Sequence, residues 1–178
     1  CLWVYNNQYC YFSFNCCCRG LRNLLLMYSI DFDQSIIKGI ELIDIEKVLP
    51  HEKIISKKSS NLSSFLKSFD EYIIISSILC CSKSMIIIDG HHRYFTLKKM
   101  GFKKIPVTKI DYLSSQIKTG ITEKYSKKEI IEKALNRELM EPKSTSHKIY
   151  CAKSKRWEPI MLLSSLYRLD VKTYLENQ

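Results

Sequence analysis

The apolar run Met85-Ile86-Ile87-Ile88 ends in Asp89-Gly90 and is followed at once by His91-His92-Arg93. No other segment constrains the chain as strongly. A short apolar run stopped by a turn reads as a buried strand, here expected to be central in its sheet. Tyr94, Leu97 and Lys98 then open a helical pattern that closes at Gly101, a natural helix C-cap. Gly90 allows a tight turn or a close approach of backbone to ligand. The first-turn N–H groups lack intrahelical partners and the helix dipole is positive there, so the junction suits an anion. Arg93 adds a permanently charged planar fork that can grip phosphate oxygens in pairs. Asp89 would repel a phosphate unless it binds a metal or handles a proton. The plainer reading, with Asp89 as a helix N-cap and Arg93 on the surface, leaves both histidines unexplained.

Elements on either side of this junction build one domain, which is what 178 residues allow. Ile36 to Ile45 suits a strand, and Pro50 forces an extended entry into His51-Glu52. Leu62, Phe65, Leu66 and Phe69 form the stripe of an amphipathic helix over Ser59 to Phe69. Ile73-Ile74-Ile75, Ile78 to Cys81, the turn Ser82-Lys83-Ser84 and Met85 to Ile88 predict strands with a hairpin. Ile105 to Tyr112 predicts another strand. Ser126 with Glu129 predicts a capping box on a helix that runs to about Leu139, burying Ile130, Ile131, Ala134 and Leu135. Met161 to Tyr167 suits a short closing helix. The expected division is a non-core extension over 1–26, a core domain over 27–150, and a tail over 151–178.

The net charge of +10 favours anionic partners and says nothing about fold. Five of the eight cysteines crowd the first 18 residues without a C-x-x-C pair, and three adjacent cysteines pair poorly. Neither a disulfide framework nor a zinc site is predicted, and a reducing cytoplasm is expected. No apolar run reaches the length of a membrane span, so no membrane partner is expected. The first stretch lacks a signal-peptide pattern, and Met27 is the expected natural start.

All four histidines, His51, His91, His92 and His147, stand in polar junctions. Ile88-Asp89-Gly90-His91-His92-Arg93, with the following Leu-x-x-x-Gly helix and Ile105-Pro106-Val107, resembles the ParB/sulfiredoxin-type superfamily. Leu49-Pro50-His51-Glu52 upstream and Glu141-Pro142-Lys143-Ser144-Thr145-Ser146-His147 downstream narrow the resemblance to the free L-serine kinases, over about Ile40 to His147. The resemblance implies an α+β domain, a mixed sheet flanked by helices, that transfers a phosphoryl group from ADP or ATP to free L-serine. Glu52 would be the catalytic carboxylate, and Asp89 would assist through Mg2+ as its metal ligand. Gly90, His91, His92 and Arg93 would cradle the donor phosphates. His51, Lys143, Thr145 and His147 would hold the substrate. Positioning and charge neutralisation are what such transfer needs, and these residue types supply both.

Two departures stand out. The family's downstream block carries Arg before its final His, where this chain has Ser146, and no tryptophan lies between Tyr112 and Ser126. The rival reading is a ParB-like nucleotide- or DNA-binding protein without kinase activity. The stretch after His147 is too short for a convincing helix-turn-helix domain, so nucleic acid is not the favoured partner. A sulfiredoxin-like reductase would need a cysteine where His91 stands.

Overall fold

A computed structural model describes residues 24–25, 30–67, 71–120 and 124–170. The elements are β1 (Leu24–Leu25), β2 (Ile37–Asp44), α1 (Ser56–Lys67), β3 (Tyr72–Ser76), β4 (Ile78–Cys81), β5 (Ile87–Asp89), α2 (His91–Lys99), β6 (Lys104–Ile110), β7 (Ile117–Thr119), α3 (Lys127–Leu135), β8 (His147–Cys151), β9 (Arg156–Pro159) and β10 (Leu166–Asp170). Apart from β1, residues 1–26 lie outside the described residues, so the expected extension is not characterised there.

The central sheet runs β2-β6-β4-β5. It is mixed, because β6 pairs antiparallel with β2 and parallel with β4. Its strands are apolar on both sides because both sides are covered. Ile78, Cys80 and Ile87 point into one core with Leu66 of α1, Tyr94 and Leu97 of α2, and Tyr167 and Leu169 of β10. Leu79, Cys81, Ile86 and Ile88 point into a second core with Ile130 and Ala134 of α3 and Ile149 of β8. Continuous isoleucine runs are what a doubly covered sheet demands. The α+β class and the mixed sheet flanked by helices are as expected.

Three expectations are corrected. Strand β5 is buried but terminal in the sheet order, not central. Its outer edge is closed by Leu49, which bridges Ile86 in parallel and exchanges backbone hydrogen bonds with Met85 and Ile87. Helix α3 stops at Leu135 rather than near Leu139, because Arg137 turns into a left-handed conformation (φ 59°) and Leu135 is left 55% exposed. The closing helix over Met161 to Tyr167 is instead a 3-10 turn, Ile160–Leu163, followed by β10. Alternation decides this: Tyr167 and Leu169 are buried while Leu166, Arg168 and Asp170 face outward, a period of two that only a strand satisfies. Strand β10 pairs antiparallel with β3 along its length, and β1 pairs with its other edge.

Candidate active site

The edge pairing of Leu49 on β5 sets His51-Glu52 beside the end of the strand that delivers Asp89. Met140 donates its N–H to the His51 carbonyl at 2.8 Å, and Lys53 donates to the Met140 carbonyl at 2.9 Å. Glu52 is thereby held between the β5 edge and the segment leading to β8. From the first turn of α2, His91 Nε2 accepts the N–H of His51 at 3.2 Å and His92 Nε2 accepts that of Ile55 at 3.1 Å. A neutral imidazole that accepts at Nε2 carries its proton on Nδ1.

Glu52 is 9% exposed, and its two oxygens are treated unequally. Oε1 accepts the N–H of Thr145 at 2.8 Å and its hydroxyl at 2.5 Å, while Oε2 accepts, among the described residues, only the N–H of Lys143 at 3.3 Å. Those N–H groups converge because the turn from Glu141 to Ser144 holds Lys143 at φ 59°. The Thr145 hydroxyl also lies 3.0 Å from His51 Nε2.

His51, His91 and His147 meet behind the carboxylate. The ring of His51 stands edge-on to His91 at 4.5 Å and to His147 at 6.1 Å between centroids. His147 Nε2 is bonded to the Tyr112 hydroxyl at 2.9 Å. Burial pushes His51 down to about 4 and His147 to about 3, and drives His91 well below the usual imidazole range. The cluster is therefore neutral near pH 7. Among the described residues no group of three or more His, Cys, Asp or Glu is arranged to hold a metal ion.

Arg93 is folded back onto the protein. Its Nη2 meets Asp89 Oδ2 at 2.5 Å, and its Nη1 donates to the carbonyls of Ser76 at 2.8 Å and Ser77 at 2.7 Å and to the Ser76 hydroxyl. A Cβ at Gly90 would come within 3.1 Å of Arg93 Nη2, and Gly90 sits at φ 106°. Glycine is thus required twice, for the turn and for the guanidinium beneath it.

Two adjoining cavities open here. The larger, about 450 Å3, presents Asp89, Gly90, His91, His92, Arg93 and Lys143. The smaller, about 220 Å3, presents Ser146, His147, Pro159 and Ile160. Glu52, Asp89, His91, Thr145 and Met161 line both and form the partition.

No family model matches the chain. It is 37% identical over 87 residues to the ATP-dependent L-serine kinase of Staphylothermus marinus, across 46% of this chain and 34% of that one. It is 32% identical over 81 residues to the ADP-dependent L-serine kinase SerK of Thermococcus kodakarensis, across 43% and 32%. A ParB-like protein of Sulfolobus acidocaldarius is 32% identical over 78 residues, across 44% and 38%. Over this stretch the chain is similar to L-serine kinases and to a ParB-like protein. It spans about a third of the length of these curated relatives. A free serine kinase in complex with AMP shares the fold at 16% identity and TM-score 0.55, across 68% of this chain and 91% of that one. A conserved hypothetical protein from Pyrococcus furiosus does so at 15% and TM-score 0.57, across 83% and 99%.

The three sequence blocks of this chain converge on one cleft. Glu52, Asp89, Gly90, His91, His92, Arg93, Lys143 and Thr145 all line the larger cavity, and His147 lines the smaller. His51 lines neither and is fully buried behind Glu52. Ser76, Met161 and Ser164 also line the larger cavity, and sequence reasoning missed them. Their one available signal was indirect: the alternation in β10, which returns the chain to β3 and carries Met161 and Ser164 to the cleft.

Proposed function

We propose that this chain transfers a phosphoryl group from an adenine nucleotide, ATP or ADP, to the hydroxyl of free L-serine, in a reducing cytoplasm. The observation that carries this reading is the partition: two buried or half-buried carboxylates, Glu52 and Asp89, border both cavities. The larger cavity has room for the donor's phosphates at the start of α2, where the N–H groups of a nine-residue helix and the exposed Lys143 favour negative charge. The smaller suits an amino acid.

In this arrangement Glu52 Oε2, the less engaged oxygen, takes the proton from the serine hydroxyl. The serine oxygen then forms its bond to the terminal phosphorus of the donor as the bridging P–O bond breaks toward the nucleotide. Magnesium is commonly bound by one or two carboxylates together with substrate phosphates rather than by a protein cage. Asp89 fits that mode, since Arg93 engages Oδ2 and leaves Oδ1 without a partner among the described residues. The metal held there would neutralise charge on the transferring group. Homology to named L-serine kinases supports the substrate and the donor. The test is incubation of purified protein with Mg2+, L-serine and ATP or ADP in separate reactions. O-phosphoserine is expected with at least one donor, and its absence with both would overturn the reading.

A second reading, binding of nucleic acid without transfer, is favoured by one surface. On the β7-β8-β9 sheet Lys118 pairs with Lys148 and Tyr150 with Trp157, and the Lys118 ammonium lies 4.3 Å from the Trp157 ring. Duplex binding that survives moderate salt, without O-phosphoserine formation, would favour it.

A further inference from the structure

Thr145 has one hydroxyl hydrogen and two polar neighbours, Glu52 Oε1 at 2.5 Å and His51 Nε2 at 3.0 Å. An ionised carboxylate only accepts, so the hydrogen points to Glu52. His51 Nε2 must then be the donor to Thr145 Oγ1. This fixes the His51 tautomer with its proton on Nε2 and leaves Nδ1 bare. That atom is buried and has no partner within hydrogen-bond geometry among the described residues, the Ile87 backbone bearing on the ring only weakly.

We propose that His51 and Thr145 are positioning residues for Glu52, a chain of two donors that immobilises Oε1 and leaves Oε2 as the base. This rests on the kinase reading above and departs from a substrate-holding role for either side chain. His51 is fully buried and lines neither cavity, and the Thr145 hydroxyl is already committed to Glu52. The chain begins in a dry place: His51 packs on His91 and His147, and its own N–H is fixed by His91 Nε2. A donor held that firmly costs no reorganisation when the carboxylate takes up a proton.

Thr145→Val keeps the shape and removes the hydroxyl, whereas Thr145→Ser keeps the hydroxyl. With the intact chain, kcat for O-phosphoserine formation should fall at least tenfold in Thr145→Val with KM for serine nearly unchanged, and Thr145→Ser should recover most of it. A residue that held serine would raise KM instead, and that result would overturn the proposal. Equal loss in both variants would overturn it as well. A readout independent of turnover is the nitrogen-15 spectrum of the His51 ring at neutral pH. Protonated Nε2 and bare Nδ1 are expected, with the Nε2–H signal displaced in Thr145→Val and restored in Thr145→Ser. The opposite tautomer would remove the donor chain even in an active kinase. The expected spectrum in a protein that phosphorylates nothing would leave the chain intact and defeat only the kinase reading.

Discussion

His91 and His51 meet twice: the ring nitrogen Nε2 of His91 accepts the backbone N–H of His51 at 3.2 Å, and the two rings stand edge-on with centroids 4.5 Å apart. A residue from the helix start thus fixes both the main chain and the side chain of the residue preceding Glu52. The ring nitrogen that sequence reasoning offers to phosphate is spent on the protein. His92 is used likewise on Ile55.

Stability should fall in mild acid. His51, His91 and His147 are held neutral by burial, with His51 at about 4 and His147 at about 3, whereas an unfolded histidine titrates near 6.5. The unfolded chain binds more protons in that window, so stability rises with pH there. It should be complete above about pH 6.5 and lost progressively toward pH 4 and 3, by at most about 8 kcal/mol for His51 and His147 together, on the order given by such shifts. Urea melts at pH 7, 5.5 and 4.5 check this; a flat profile would mean that the cluster is open to water.

Glu52→Gln should cut turnover on the order of a hundredfold or more while nucleotide affinity changes little. The amide oxygen can still accept from Thr145, and only the long 3.3 Å bond from the Lys143 N–H is lost to the NH2 group, so the fold should hold. Calorimetry with ATP and ADP beside a product assay separates the two effects, and near-normal turnover would remove Glu52 from its role.

Arg93→Lys should be felt first as instability. Lysine cannot reach the carbonyls of Ser76 and Ser77 and the carboxylate of Asp89 together, and charged hydrogen bonds of this kind are worth about 1.5–3 kcal/mol each. Gly90→Ala should cost about 1–3 kcal/mol through its φ of 106°. Melting temperatures of both variants are the measurement. Arg93→Lys with unchanged stability and weakened nucleotide binding would mean that the fork turns toward ligand.

Ser146→Arg should tighten O-phosphoserine binding by about 1 kcal/mol, as expected of a partly exposed charge-assisted contact. Ser146 is exposed on the smaller cavity, and its Oγ already fills the space where a Cβ on Gly120 would stand, so the arginine must turn away from Gly120 into the cavity. Binding of O-phosphoserine and of random duplex DNA, each at low and moderate salt, is the check. A gain confined to DNA and erased by salt would count against the kinase reading.

Local chemistry was legible. The strand running into Asp89-Gly90, the helix His91–Lys99 stopped ahead of Gly101 at φ 87° and the capping box of Ser126 and Glu129 all depend on neighbours in sequence, and they stand as expected. So does the hairpin of β4 and β5. The failures share one cause. An all-apolar strand announces that both faces are covered but not whether its edge meets a strand or a loop, so Ile86–Ile88 does not reveal Leu49. The stop of α3 carries no glycine, since Arg137 itself adopts the left-handed turn. The bonds of Arg93 to Ser76 and Ser77 are not legible either, because both partners lie more than a dozen residues away. The convergence of His51, His91 and His147 is equally a long-range fact.

Strand β10 pairs with β3 across about 90 residues of chain, and the segment just before it delivers Met161 and Ser164 to the cleft. On the ribosome, the Asp89 junction and both of its histidines emerge long before this wall exists. A nascent chain that already holds Glu52, Asp89 and Thr145 would still have a cleft open on one flank to water. Closing so long a loop is slow relative to helix formation. Competence should therefore arrive late and abruptly during synthesis, with the docking of a strand that holds none of the chemistry.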